Sequence, residues 1–360
     1  MNKNENLVVK IVLPIFCFFL GFAIMYGIMK KYPTIVTDTV TRVEKDVTIT
    51  DTGIAEAVEK VYDAVVVVTT YKNNNAYSSG TGFVYKEDAS YGYILTNYHV
   101  IEGTDRVNVQ FTNGTNVETT VVGYDKYSDI AVLKISRKHV IEVAQIGSSK
   151  DMRVGDTTFA VGAPIDSVYS WTVTRGILSG KNRMVEVSKS DYVMRVLQTD
   201  AAINNGNSGG PLCNANGEVI GITSMKLIAE AVEGIGFAIN IEDAISVASL
   251  IEKGEQVTHP YLGVQMYNVS DAYYNRDYNY YFQKYNITSG VLVYSVTKNS
   301  PADKAGLLKD DVVIAINGKD VSSIGYLRYY LYEYSAGDKI TLTVNRAGEI
   351  KTISVILGSE

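Results

Sequence analysis

The sequence has 360 residues, which is enough for two domains of ordinary size. Hydrophobic residues make up 46% and charged residues 20%, a composition typical of globular proteins rather than of disordered chains. The formal net charge of −6 argues against a nucleic-acid-binding protein, which would carry a basic face. There are two cysteines: Cys17 lies in an apolar run and Cys213 lies just past Ser208. These positions argue against a structural disulfide.

The N-terminal region contains a short tail at residues 1–10 and then an apolar segment at residues 11–29. This segment has 19 positions without a charged side chain, bracketed by Lys10 and Lys30. At about 1.5 Å rise per residue it crosses a hydrocarbon core of about 30 Å, so we predict a single transmembrane helix. A cleaved signal peptide is the alternative, but its apolar region would be shorter and would end in an A-x-A-like site. Lysine and arginine counts on the two sides slightly oppose an exported orientation.

The next two regions differ in their patterns. Residues 30–52 are rich in Thr, Val and Asp without a sustained apolar period, which predicts a linker. Residues 53–253 begin with a short helical stretch and continue as many short, β-branched segments separated by turn signals. Short strands at this spacing, with few helices, predict antiparallel barrels or a sandwich.

The β-rich region is organised around the segment Gly-Asn-Ser-Gly-Gly at residues 206–210. A serine needs an adjacent base and an oxyanion site to act as a nucleophile, and flanking glycines let the backbone turn its N–H groups inward. By itself, the segment is also compatible with a surface turn or with the nucleophile elbow of α/β-hydrolases. The elbow requires the acid and the histidine after the serine, together with alternating βα units, and residues 53–253 lack long helical segments.

Three histidines are available as the base: His99, His139 and His259. His99 follows an apolar strand, and Asp129 comes directly before another. A carboxylate beside a buried strand needs a partner, and a histidine N–H is a suitable one that also fixes the imidazole tautomer. His139 lies in a charged stretch and His259 lies beyond the last strand of the region, so both fit less well. The order His99, Asp129, Ser208 is that of chymotrypsin-type proteases.

Three motifs around these residues resemble the catalytic motifs of the HtrA (DegP/DegS-like) serine proteases. They are Leu-Thr-Asn-Tyr-His-Val, Ser-Asp-Ile-Ala-Val-Leu-Lys and Gln-Thr-Asp-Ala-Ala-Ile-Asn-Asn-Gly-Asn-Ser-Gly-Gly-Pro-Leu, at residues 95–100, 128–134 and 198–212. Residues 234–239 resemble the end of that family's protease domain. The resemblance runs from about residue 54 to the C-terminus. It implies a mostly β, chymotrypsin-like double β-barrel domain at residues 53–253, with the active site between the barrels.

The resemblance and the chemistry together imply roles for individual residues. Ser208 would attack the scissile carbonyl, His99 would act as the general base and acid, and Asp129 would orient His99. The backbone N–H groups of Gly206 and Ser208 would hold the oxyanion.

Three aliphatic residues, Ile203, Leu227 and Ile235, match positions that line the primary specificity pocket in the family. Because none is charged, we expect a small apolar substrate side chain, such as Val or Ala, in preference to Lys or Arg. The alternative is that these are ordinary core residues.

A further segment departs from the family pattern. Residues 166–175, which include Trp171, stand where the family has a glycine-rich Pro-Phe-Gly-like turn within the loops that switch the site on. The resemblance places Arg183 in the following loop, as a candidate for relaying a regulatory signal.

The C-terminal region, residues 258–358, resembles a PDZ domain. The residues Tyr261, Leu262, Gly263 and Val264 match the carboxylate-binding loop, whose N–H groups capture a chain terminus while a strand edge pairs with the peptide. A plain strand start with a turn glycine is the alternative. The tyrosine-rich segment 268–289 is longer than a typical connection and is either an exposed contact loop or a packed insertion.

The resemblance implies a membrane-anchored, ATP-independent serine endopeptidase that acts in protein quality control and stress response on misfolded or exported proteins. It also implies extracytoplasmic protease and PDZ domains and a homotrimer. Two alternatives stay open: a non-proteolytic chaperone or scaffold that binds chain termini, and a small-molecule esterase. We expect no cofactor and no metal, because three scattered histidines and two distant cysteines do not form a ligand cluster.

Overall fold

The computed structural model describes residues 13–31, 53–163, 171–186, 192–224, 233–255 and 257–359. Helix α1 (Leu13–Lys31) belongs to an N-terminal unit that is separate from the rest of the chain. None of the residues of α1 is buried, and its length and mean hydropathy of 1.8 are those of a membrane span. The helix extends past the predicted end at residue 29 to include Lys30 and Lys31. The predicted tail at residues 1–10 and most of the predicted linker lie outside the described residues.

The second unit begins with helix α2 (Gly53–Tyr62) and a seven-stranded antiparallel sheet. Helix α3 (Tyr98–Ile101) follows the third strand. Successive valines of the first strand point to opposite faces of the sheet. Together with apolar residues of the neighbouring strands, they fill the core on both faces. The strands are β1 (Val65–Lys72), β2 (Asn75–Glu87), β3 (Tyr91–Asn97), β4 (Arg106–Gln110), β5 (Asn116–Glu118), β6 (Thr120–Asp125) and β7 (Ile130–Ser136), in the spatial order β5-β4-β1-β2-β3-β7-β6.

Six further strands close into a barrel, as the β-rich pattern of the sequence predicts. Helix α4 (Ile241–Glu252) follows the barrel and packs Ala244, Ala248 and Ile251 into the core shared with the first sheet. The barrel strands are β8 (Thr157–Gly162), β9 (Thr172–Glu186), β10 (Val193–Thr199), β11 (Pro211–Asn214), β12 (Val219–Thr223) and β13 (Gly236–Asn240), in the order β10-β13-β12-β11-β8-β9.

The C-terminal part has its own hydrophobic core and its own sheet, in the order β15-β16-β17-β19-β20, with β15 at one edge. These strands are β15 (Val264–Asn268), β16 (Val291–Val296), β17 (Val312–Ile316), β19 (Lys339–Arg346) and β20 (Glu349–Ile356). The short strand β18 (Lys319–Asp320) pairs with β17, and β14 (Pro260–Tyr261) pairs with β21 (Gly358–Ser359). The helices are α5 (Val269–Ala272), α6 (Arg276–Lys284), α7 (Pro301–Ala305) and α8 (Ile324–Leu331).

The tyrosine-rich segment is a packed insertion, the second of the two predicted alternatives. Helices α5 and α6 form it, and Phe282 of α6 is fully buried in a small core of its own. Tyr281 donates a hydrogen bond to the carbonyl of Asp310 at 3.0 Å. Burial and the neighbouring Asp310 carboxylate raise the pKa of Tyr278 to about 12. The segment also leaves Tyr274 and Tyr280 exposed.

Candidate active site

The sheet register brings His99 and Asp129 to the same edge. Strands β3 and β7 are antiparallel neighbours, and the last residue of β3, Asn97, pairs with the first residue of β7, Ile130. His99 comes two positions after the end of β3, and Asp129 comes directly before β7. The two side chains therefore meet, and His99 Nδ1 lies 2.8 Å from Asp129 Oδ2.

The Asp129 carboxylate is almost completely buried and is held on all sides. Its Oδ1 accepts the backbone N–H of His99 at 2.9 Å, and its Oδ2 also accepts the hydroxyl of Ser224 at 3.2 Å. The backbone of Asp129 has a left-handed φ of 57°, and its carbonyl accepts from the Asn97 side chain at 3.0 Å. Because a carboxylate only accepts hydrogen bonds, His99 Nδ1 carries the proton and Nε2 remains available as a base.

The serine lies in a tight loop between β10 and β11 that is pinned to both sheets. The N–H of Thr81 in β2 donates to the carbonyl of Ser208 at 2.8 Å, and the N–H of Gly209 donates to the carbonyl of Thr223 at 2.9 Å. Gly209 has φ of 86°, and a Cβ atom there would lie 2.1 Å from the Thr81 carbonyl oxygen. Only glycine fits this position, which explains the glycine that follows the serine.

A cavity of about 510 Å³ joins these elements. His99 and Ser208 both line it, together with the predicted oxyanion residue Gly206. The structure therefore places the imidazole, the hydroxyl-bearing residue and the glycine around one space, and a group attacked there would lie within reach of all three. This arrangement is suited to acyl transfer. The remaining lining residues are Ser78, Ser79, Val100 and Asn205.

Sequence reasoning missed two side chains that support this arrangement. Ser224 touches Asp129 although 95 positions separate them in the chain. Thr81 donates its hydroxyl to the Gly206 carbonyl at 2.6 Å and accepts the N–H of Ala163 at 3.0 Å. Neither residue carries a local signal, because each contact depends on how the barrel packs against the first sheet.

The other predicted protease residues have mixed outcomes. Ile203 is buried in the barrel core beside Gly236, and the adjacent Ile235 is 37% exposed. Leu227 lies outside the described residues.

The expectation that Arg183 lies in a loop was wrong. It belongs to the continuous strand β9, pairs with Val196 and donates to the Gln198 side chain at 3.2 Å. The predicted departure from the family at residues 166–175 is described only from Trp171 onward. Trp171 has a left-handed φ of 60°, and its indole N–H donates to the Val65 carbonyl at 3.0 Å.

The second predicted site lies beside the edge strand β15. Gly263 has φ of 84°, and a Cβ atom there would lie 2.2 Å from Ser300 Cβ. Leu262 and Val264 face Leu327 and Leu331 of α8 across a cavity of about 130 Å³. Because β15 has a neighbour on one side only among the described strands, a peptide can add to its open edge.

The described residues contain no group of three or more His, Cys, Asp or Glu side chains that could hold a metal ion. The functional side chains that the structure brings together at the site are the serine, the imidazole and the carboxylate. Together with the sheet and the closed barrel on either side, they define a trypsin-like serine protease to which a peptide-binding domain is joined.

Comparisons with known proteins agree with this class. Residues 80–222 match the trypsin-like peptidase domain, and residues 260–357 match the PDZ domain. The chain is 39% identical over 325 residues to the serine protease Do-like HtrB of Bacillus subtilis, covering 85% of this chain and 70% of the relative.

Solved structures are similar as well. The serine endoprotease of Yersinia pestis has a TM-score of 0.64 and 30% identity, over 85% of this chain and 98% of its own. The HtrA-type protease AlgW with a tripeptide has a TM-score of 0.63 and 32% identity, over 85% of this chain and 97% of its own. The chain therefore belongs to the HtrA family, and it is a serine endopeptidase with a PDZ domain.

Proposed function

We propose that this protein is a membrane-anchored quality-control protease that cleaves misfolded or exported proteins with His99, Asp129 and Ser208. The observation that carries the proposal is the 2.8 Å contact between His99 and Asp129 beside the cavity that Ser208 also lines. A cavity of about 510 Å³ is large enough for several residues of an unfolded chain. Membership of the HtrA family supports the substrate class and a role in stress response.

The proposed reaction begins when His99 Nε2 takes the proton of Ser208 and the serine oxygen attacks the scissile carbonyl. The Asp129 carboxylate keeps the imidazole in the required tautomer and stabilises its charged form. The backbone N–H groups of Gly206 and Ser208 stabilise the oxyanion, each by roughly 3–4 kcal/mol. His99 then gives the proton to the leaving amine, and water hydrolyses the acyl-enzyme by the same steps.

We also propose that the residue before the cleaved bond is small and apolar. The support is the aliphatic character of Ile203, Leu227 and Ile235, and the position of Ile203 against Gly236 beside the nucleophile loop. Cleavage of a peptide library after Val or Ala is the expected result. Cleavage after Lys or Arg would contradict it.

The PDZ domain is proposed to bind the C-termini of substrate or signalling polypeptides at Tyr261, Leu262, Gly263 and Val264. The open edge of β15 supports strand addition, and the apolar cavity beside α8 supports a hydrophobic last side chain. The domain boundaries proposed for the two functional parts are residues 53–253 and 258–358.

The wider organisation is proposed from the apolar helix and the family. Helix α1 would anchor the chain as a single span, with the protease and PDZ domains on the extracytoplasmic side and three chains forming a homotrimer. Arg183 is proposed as a regulatory residue because its strand β9 follows directly on the segment around Trp171. Reporter fusions at both ends of the span test the topology, and sedimentation in detergent tests the trimer.

The central experiment is degradation of an unfolded protein by the wild type and by Ser208→Ala, with and without a peptide that has a hydrophobic C-terminus. We expect cleavage by the wild type only, and faster cleavage when the peptide is present. Proteolysis by folded Ser208→Ala would reject Ser208 as the nucleophile. Suppression of aggregation without cleavage by the wild type would favour the scaffold alternative. Turnover of short esters without cleavage of the unfolded protein would favour the esterase.

A further inference from the structure

One residue of the protease part lies in the PDZ cavity. Tyr127 belongs to the turn between β6 and β7, two positions before Asp129. Its side chain lines the cavity of about 130 Å³ beside β15, which we call the terminus groove. The other apolar lining residues come from the C-terminal part: Leu262, Val264, Met266, Leu327 and Leu331.

Tyr127 separates the terminus groove from a larger space. A second cavity of about 440 Å³ lies between β10 and α8, and Tyr127, Arg328 and Tyr332 line both cavities. The tyrosine ring is therefore part of the partition between them. Removing the ring would therefore widen the small cavity on the side of the larger one, while Pro260, Arg328 and Tyr332 still lie between them.

Tyr127 is held firmly in this position. Its ring makes edge-to-face contacts with His259 at 4.3 Å, Tyr192 at 4.8 Å and Tyr332 at 5.3 Å between centroids. Its backbone N–H donates to Asp125 Oδ1 at 3.4 Å, and His259 Nε2 lies 2.9 Å from the same carboxylate oxygen. A side chain packed by three rings has few alternative rotamers, so Tyr127 forms a rigid side of the groove.

We propose that Tyr127 completes the PDZ terminus groove and restricts its last bound side chain to small aliphatic residues such as Val or Ala. The site is then built from both parts of the chain. At about 130 Å³ the groove is smaller than the closed apolar cavity of about 150 Å³ that holds a benzene molecule, so a small aliphatic side chain fits it better than an aromatic one. This inference rests on the proposed binding of chain termini at residues 261–264.

The test uses the full-length protein in detergent, with Ser208→Ala in every sample so that peptides stay intact. Two labelled peptides differ only in their last residue, Val or Phe, and a third is the Val peptide with an amidated terminus. Dissociation constants from fluorescence anisotropy are compared for the parent, Tyr127→Ala, Tyr127→Leu and Tyr127→Phe. The matched control is Tyr280→Ala, because Tyr280 is an exposed residue of α6 that lies outside both the groove and strand β15.

We expect the parent, Tyr127→Phe and Tyr280→Ala to prefer the Val peptide by about tenfold or more. Tyr127→Ala should remove this preference by strengthening binding of the Phe peptide. If thermal unfolding shows that Tyr127→Ala is unstable, Tyr127→Leu keeps the apolar packing and must change the ratio in the same direction. An unchanged Val-to-Phe ratio in the folded variant overturns the role of Tyr127. Equal binding of the acid and the amide by the parent overturns the proposed terminus site instead, whatever the ratio.

Discussion

Two histidine–aspartate pairs lie at the two ends of a single turn. Asp125 ends β6 and Asp129 precedes β7, so the turn between them contains only three residues. Asp129 contacts His99 at 2.8 Å, and Asp125 contacts His259 at 2.9 Å. Each carboxylate also accepts a backbone N–H at 2.9 Å, from His99 in the first pair and from Ser128 in the second.

The pairs differ in what lies beyond the imidazole. His99 borders the cavity that Ser208 also lines, whereas His259 packs against the rings of Tyr127 and Tyr332 at 4.3 and 4.5 Å beside the cavity between β10 and α8. Burial acts to raise the pKa of Asp125, but the hydrogen bonds from His259 and Ser128 outweigh it and lower that pKa overall. We therefore expect catalysis only from the pair whose imidazole shares a cavity with Ser208. In the second pair the same chemistry fixes a domain junction.

The largest expected difference between the pairs is in catalysis. Asp129→Asn should lower kcat by about 10⁴, because an amide no longer holds the His99 tautomer that leaves Nε2 as a base. Steady-state hydrolysis of a fluorogenic peptide measures this. Asp125→Asn is the matched control, and we expect it to lower kcat by less than about tenfold, since its partner has no nucleophile beside it. Equal losses in the two variants would contradict the division of roles.

For the free energy of unfolding we expect the opposite order, with a greater loss when the second pair is disrupted than when the first is. His259→Ala should reduce the free energy of unfolding by about 3 kcal/mol, because it removes both the partner of the buried Asp125 carboxylate and the ring that packs against Tyr127 and Tyr332. His99→Ala should cost less, about 1 kcal/mol, since the Asp129 carboxylate keeps the backbone N–H of residue 99 and the hydroxyl of Ser224 as hydrogen-bond donors. Urea denaturation of both variants gives the comparison. A greater loss in His99→Ala than in His259→Ala would mean that the first pair, too, is mainly structural.

The sequence predicted one pair and not the other, for a physical reason. His99 and Asp129 each flank an apolar strand, and their motifs resemble a known family, so local pattern was sufficient. His259 lies in a polar connection, and its contact with Asp125 spans 134 positions. Such a contact depends on how the PDZ part packs against the protease part. The local spacing of apolar residues does not indicate this packing. Ser224 and Tyr127 escaped prediction for the same reason, and Arg183 was misplaced because the long strand β9 has weak alternation.

A smaller effect on catalysis is expected from losing the hydrogen bond that Ser224 makes to the first pair. Ser224→Ala removes the hydroxyl that donates to Asp129 Oδ2 at 3.2 Å. A hydrogen bond to a charged group contributes about 1.5–3 kcal/mol, so we expect kcat to fall by about tenfold or somewhat more. Ser224→Thr retains the hydroxyl and should recover most of the activity. A similar loss in both variants would point to packing at this position rather than to the hydrogen bond.

The smallest expected effect is the change in unfolding free energy that the second pair causes at acid pH. Because the folded pKa of Asp125 lies below its ordinary value of 3.8, its ionised form contributes stability above that value. This contribution is lost as the pH falls below the ordinary value and through the folded pKa. Asp125→Asn has no such carboxylate, so the difference in unfolding free energy between wild type and variant should shrink between about pH 5 and about pH 3. A difference that stays constant over the range would show that the carboxylate does not stabilise the junction through its charge.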